Sequence, residues 1–158
     1  MPKTFPESEL IRRSFTIRQL DFPPEVVLTK RSLVRWFAIS CGLISENESR
    51  SSILKVLDAI FYFQVSKKKF PKISELITYL NSQKEPMKEK TLRYHLNVLL
   101  SLGLLEWHGK CVRFTIDPLS DQADLAKGFE YSISKNISDC LLRISFCLQE
   151  IRKKYTSD

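Results

Sequence analysis

Two histidines, four cysteines and scattered carboxylates are the residues of this 158-residue chain with the chemistry for catalysis or metal binding. Their placement argues against both. His95 falls on the apolar side of a helical pattern, where a hydrogen-bonded core histidine is the ordinary role, and His108 falls beside a turn, facing solvent. Cys140 and Cys147 are seven residues apart in a helical segment, about 10 Å along the axis, which suits packing and not a shared metal ion. No Cys-x-x-Cys pair occurs, and Cys41, Cys111, Cys140 and Cys147 read as reduced thiols of an intracellular protein. Glu46 and Glu48 are accounted for by helix capping. There is no Gly-rich phosphate loop, nucleophile elbow or His-Glu metal pattern. The sequence therefore predicts no enzyme, no cofactor and no metal. What remains is binding chemistry. Lys88, Lys90, Thr91, Arg93, Tyr94 and Asn97 place cations and hydrogen-bonding groups largely on one side of a single helical pattern.

The stretch that must position them is Met87–Ile116, MKEKTLRYHLNVLLSLGLLEWHGKCVRFTI. Leu92, Leu96, Leu99, Leu100 and Leu102 recur at three- and four-residue steps and predict a helix over 88–102. Gly103 stops it, being tolerant of left-handed backbone geometry. The period then changes to two. With Gly109-Lys110 as a two-residue turn, His108 faces Cys111, Trp107 faces Val112, Glu106 faces Arg113 and Leu105 faces Phe114. That register puts Leu105, Trp107, Val112, Phe114 and Ile116 on one face, and Glu106, His108, Cys111, Arg113 and Thr115 on the other. Glu106 opposite Arg113 adds ~0.2–1 kcal/mol.

A helix with a polar face, then Gly-Leu-Leu, then a tight hairpin resembles the winged-helix domain of ArsR/MarR-type transcriptional regulators. The resemblance spans about residues 46–117. It rests on Met87 before the helix cap, on Thr91-Leu92, and on Tyr94-His95-Leu96, with Met87 and Leu92 spaced as a hydrophobic staple. It departs at Lys88, where the family pattern has a capping Ser or Thr. The resemblance implies that helix 88–102 enters the major groove of double-stranded DNA and that the 104–116 wing lies on the backbone or minor groove.

Around this core the chain divides into an extended N-terminal arm (1–28), an accessory helix (29–45), the winged-helix domain (46–118) and a long C-terminal dimerisation helix (119–158). The arm is interrupted by Pro2, Pro6, Pro23 and Pro24 and carries Arg12, Arg13 and Arg18. It reads as a loosely packed tail or as a basic arm that touches DNA. Thr29 caps a helix to about Ile44 that is apolar around much of its girth and needs cover on more than one side. Ser45 and Glu48 form a capping box that starts a helix running to about Gln64. Lys67-Lys68-Lys69 follows it, a solvated run or a phosphate contact. Phe70–Ile73 is a short strand beside the wing, and Ser74 caps the second helix of the helix-turn-helix. From about Asp121 to Tyr155 the pattern is helical again. There Ile137, Leu141, Ile144, Leu148, Ile151 and Tyr155 follow the 4-3 alternation of a coiled-coil seam, with Leu125, Phe129 and Ile133 extending the stripe.

The formal charge is +7, which favours a polyanionic partner. Residues 1–72 carry 13 Lys+Arg against 7 Asp+Glu, whereas 73–118 carry 6 against 5 and 119–158 carry 6 against 6. The excess thus lies ahead of the reading helix. No apolar run reaches the roughly 18 residues of a membrane span, and the start lacks a secretory signal.

The fold class expected is mainly α with a small β-hairpin, a winged helix-turn-helix with an extra N-terminal helix and a long C-terminal helix. The function expected is that of a homodimeric, sequence-specific DNA-binding transcriptional regulator, cytoplasmic and nucleoid-associated. Thr91, Arg93, Tyr94 and Asn97 face the groove, Lys88 and Lys90 lie near phosphates, and Lys110 with Arg113 touches the backbone beside the wing. The alternative is a winged helix serving as a protein-interaction module in a transcription or replication assembly. It draws on the near-neutral 73–118 region and on Tyr62, Tyr79 and Tyr94. A third reading is structured-RNA binding by the same basic surface. No ligand pocket is evident in the sequence.

Overall fold

The computed structural model describes residues 6–48 and 51–157. Among these residues five α-helices and one antiparallel hairpin follow in the order α1 (Lys30–Ser40), α2 (Ser52–Phe61), α3 (Ile73–Asn81), α4 (Glu89–Ser101), β1 (Leu105–His108), β2 (Cys111–Phe114) and α5 (Leu125–Thr156). The chain is mainly helical with a two-stranded sheet. Short 3-10 turns at Glu7–Leu10 and Pro24–Leu28 punctuate the arm, whose first five residues lie outside the described ones.

Thr29 caps α1 by accepting the Ser32 N–H at 3.0 Å, and the Ser32 hydroxyl donates to the Val26 carbonyl at 2.7 Å. The helix stops at Ser40, short of the predicted Ile44, because Gly42 turns the chain with φ +69°. A Cβ there would lie 2.7 Å from the Thr16 methyl. The arm supplies part of the cover that α1 needs: the Arg18 guanidinium donates to the Ile39 and Ile44 carbonyls at 3.2 Å, the Phe22 ring meets Trp36 edge-on, and the Trp36 indole N–H donates to the Asp21 carbonyl.

The predicted capping box at Ser45 forms only in part. Glu48 accepts the Ser45 N–H at 3.1 Å, but the four residues make a turn and α2 begins at Ser52. Positions 49 and 50 of the predicted helix lie outside the described residues. α2 carries the centre of the core, with Val56, Leu57, Ala59 and Ile60 wholly buried. It ends in a single wider π turn, Tyr62–Ser66. The strand expected at Phe70–Ile73 is reduced to one backbone bond, the Val112 N–H donating to the Pro71 carbonyl at 2.9 Å. Pro71 has no N–H with which to extend a ladder, and Ile73 already begins α3. That helix is capped at Lys72, two residues ahead of the expected Ser74, with Glu75 accepting the Lys72 N–H at 3.2 Å.

Met87 and Leu92 are both buried around the start of α4, the burial a staple requires. Gly103 ends that segment at φ +77°. The hairpin has the predicted register in all four pairs, Leu105 with Phe114 through His108 with Cys111, and the Thr115 N–H donating to the Leu104 carbonyl prolongs it. Trp107 differs from expectation. It shares a face with its cross-strand partner Val112, which is wholly buried, but is itself 50 % exposed. α5 starts at Leu125, four residues later than predicted, since Asp121 and Asp124 each turn their carboxylates onto following backbone N–H groups.

Phe37, Phe61, Phe114 and Phe129 join α1, α2, β2 and α5 in one edge-to-face aromatic cluster, with centroids 5.4–6.2 Å apart. α5 approaches so closely that a Cβ on Gly128 would fall 1.9 Å from the Thr115 carbonyl oxygen. One turn on, the Ser132 hydroxyl donates to the Gly103 carbonyl at 2.7 Å. Past Ile137 the helix leaves the domain, and nearly every residue to its end is exposed.

Candidate nucleic-acid interface

α4 has two sides of opposite character. Leu92, Leu96 and Leu99 are buried against α2 and the hairpin, whereas Lys88, Lys90, Arg93, Tyr94 and Asn97 are exposed and Thr91 is half-buried. The structure thus brings the six α4 candidates together on one accessible face. Among the described residues, Lys88 and Lys90 form no ion pair. Arg93 does, reaching back one turn to Glu89 at 2.9 Å with both side chains 57 % exposed. Such a pair contributes ~0.3–0.5 kcal/mol, little enough for an incoming acceptor to displace Glu89.

The two wing candidates fare differently. Lys110 sits exposed at the tip, beside Gly109 at φ +62°. Arg113 is drawn into the hairpin: its Nε donates to Glu106 at 2.8 Å, an Nη lies 3.1 Å from His108 Nδ1, and the guanidinium stacks 5.0 Å above the Phe70 ring. Phe70 also meets the His108 ring edge-on at 5.3 Å. These contacts make Arg113 a brace between the hairpin and the segment before α3. The lysine run is similarly divided. Lys67 lies over the Tyr62 ring, Lys69 pairs with Glu75, and Lys68 adopts φ +53°. The Lys69 hydrogen bond, and after it that of the Lys72 backbone, holds the Glu75 carboxyl below its ordinary pKa.

His95, on the inner edge of α4, lies 2.6 Å from the Ser52 hydroxyl, which ties α4 to the start of α2. Burial lowers its pKa. One residue that holds the hairpin is not anticipated from the sequence. Gln64 is fully buried, accepts the Phe114 N–H at 2.7 Å, and donates to the Phe114 and Gln122 carbonyls at 3.1 and 2.9 Å. It replaces a neighbouring strand for the outer edge of β2. The available signal was its position four residues after Ile60, a polar side chain continuing an apolar stripe.

Comparison with known protein families, characterised proteins and solved structures finds no match to this chain.

Two further surfaces bear on function. A groove of about 920 Å³, not anticipated from the sequence, opens between α1, the α2 π turn and the base of α5, with Leu33, Phe37, Phe61, Tyr62, Leu125 and Phe129 among its walls. At its edge the Tyr79 hydroxyl lies 3.5 Å from Asp58, and burial, then Asp58, raises the tyrosine pKa. The predicted seam is largely bare. Ile137 is half-buried, but Leu141, Ile144, Leu148, Ile151 and Tyr155 are 45–80 % exposed. Cys140 and Cys147 are exposed beside it and Cys41 and Cys111 half-buried, all four with free thiols. Among the described residues no group of three or more His, Cys, Asp and Glu could hold a metal ion, and no helix is long and apolar enough to cross a membrane.

Proposed function

We propose that the protein is a homodimeric winged-helix regulator that binds double-stranded DNA with α4 in the major groove. The observation that carries this reading is the exposed cationic and hydrogen-bonding face of α4, set on a helix whose other side is locked into the core. Arg93 leaves Glu89 for a guanine edge, Asn97 takes an adenine edge or a phosphate, and Thr91 and Tyr94 complete the groove face. Lys88 and Lys90 lie over phosphates at the start of the helix, and Lys110 reaches the backbone beside the wing. Arg113 supports the wing from within. The bare α5 seam supplies the dimer, which lets two α4 helices meet successive turns of one duplex.

The test is selection of bound sites from a random duplex pool, followed by binding measurements on the selected site and on random duplex. Arg93→Ala is expected to cost ~1–3 kcal/mol on the selected site and to relax preference there, while Lys90→Ala weakens both duplexes alike. Equal losses for Arg93→Ala on both would remove its assigned role. The Glu89–Arg93 pair and the 65 % exposed Tyr94 ring favour a second reading, in which α4 docks on a protein. A salt titration separates the two: contact with Z phosphates gives a slope of log K on log salt near ~−0.9Z, and no duplex binding at low salt leaves the protein partner.

A further inference from the structure

The seam of α5 could be covered by a second copy in several ways, and three features select among them. The first is area. Taking ~200 Å² for a large side chain, the exposures of Leu141, Ile144, Leu148, Ile151 and Tyr155 leave about 600 Å² bare per chain. Seam against seam alone then buries about 1,200 Å², the lower edge of a stable interface. The stripe does not stop there, however. It runs back through Ile137 and the half-buried Ile133 to Phe129 and Ala126, and these last two line the open groove at the base of α5. A partner covering the whole stripe must reach the groove.

The second feature is charge. Residues 117–130 carry Asp117, Asp121, Asp124 and Glu130 against Lys127 alone, whereas 150–156 carry Arg152, Lys153 and Lys154 against Glu150. Parallel helices would set the basic ends side by side. Antiparallel helices set each basic end beside the acidic start of the other and oppose the two helix dipoles. The third feature is reach. α5 is one continuous helix of 32 residues, about 48 Å long, so its far end cannot return to the groove of its own chain. The far end of another copy can.

We infer that two copies pair their α5 helices antiparallel about a two-fold axis between Cys140 and Leu141, so that the last turns of each helix close the groove of the other. This rests on the dimeric reading above. In this register Ile137 faces the partner copy at position 144, Ile133 faces position 148, and Ala126 faces position 155. Apolar side chains meet at these three positions and Leu141 faces position 140, while Ile151 and Tyr155 of each copy close the Leu125–Phe129 side of the opposite groove. The interface is isologous and therefore closes at two copies.

Cys140 and Cys147 report on the register directly, because both are exposed and both flank the seam on the same side. The proposed axis brings the two Cys140 thiols of a dimer together and leaves the two Cys147 thiols about 20 Å apart along the helices. The experiment treats the full chain and its Cys140→Ser and Cys147→Ser variants with a short bismaleimide, alongside sedimentation equilibrium of the untreated protein. The expected result is a dimer mass with a cross-linked dimer that survives Cys147→Ser and disappears with Cys140→Ser. Dependence on Cys147 alone means seam-on-seam pairing centred near residue 146 and overturns the register. Cross-linking that persists in both single variants means parallel helices and overturns it too, as does a dimer that never cross-links. A monomer overturns both the register and the dimeric reading. Cross-linking through Cys140 by a protein that binds no duplex leaves the register standing and removes the DNA reading.

Discussion

Gln64 shows how much one buried amide can hold. The outer edge of β2 has no further strand, so the Phe114 N–H and carbonyl would be buried without partners, and Gln64 satisfies both while also binding the Gln122 carbonyl. Replacing it with leucine keeps the volume and leaves those backbone groups unpaired. Gln64→Leu is expected to lower the unfolding free energy in urea by ~2–4 kcal/mol, and a loss below ~1 would show that β2 is held by packing alone. His95 carries a pH dependence. Burial depresses its folded pKa, so below the ordinary value of about 6.5 the unfolded chain takes up the proton more readily than the folded one. Its contribution is therefore complete above that value and is lost as pH falls through it toward the folded pKa. The urea midpoint should fall between about pH 7.5 and about pH 5.5, and His95→Gln should flatten that part of the profile.

Among the elements, α5 is the one whose placement governs the others. Its base presses on the chain after β2 at Gly128 and binds the turn after α4 through Ser132 and the Gly103 carbonyl, which the Thr115 hydroxyl also meets at 2.8 Å. The helix that leaves the domain is thereby tied to both α4 and the hairpin. In an unencumbered helix interior a glycine-to-alanine change stabilises by ~1 kcal/mol. Here the new methyl would meet the Thr115 carbonyl oxygen, and Gly128→Ala is expected to cost ~1–3 kcal/mol by overpacking, seen as a lowered Tm. A raised Tm would mean that α5 shifts outward freely and that its angle to α4 is not fixed by this contact.

The whole molecule distributes its charge and its apolar surface unequally. The positive excess lies in the first 72 residues, and part of it is engaged at home: Arg18 binds the Ile39 and Ile44 carbonyls, Arg35 binds the Glu48 carbonyl, and Lys55 binds Glu85. The free cations on the proposed DNA face are few, so two copies on one duplex gain affinity that one copy lacks. An exposed apolar stripe, Leu141 to Tyr155, lies at the other end of the chain. If a second copy covers it, folding is coupled to association, and Tm should rise with protein concentration. Ile144→Asp, which puts a charge into the seam, should abolish that rise while leaving the aromatic core of the monomer intact. A Tm independent of concentration in the unmodified chain would argue against the dimer.

Periodicity and turn chemistry were enough to place α4, the hairpin and its register, because those features depend on neighbours in sequence: leucines three and four apart, glycines at positive φ, alternation about a two-residue turn. The same reasoning placed the capping Thr29 and the long helix α5. It misplaced the start of α2 and expected a strand at Phe70–Ile73 where one backbone bond to Pro71 forms, since a capping box and a β-prone run each have local alternatives that only packing decides. Gln64, the stacking of Arg113 on Phe70 and the groove beside Phe129 were legible only in three dimensions. Each depends on groups dozens of residues apart being brought within hydrogen-bond or van der Waals reach, and no local pattern records which distant partner a buried polar or aromatic side chain will meet.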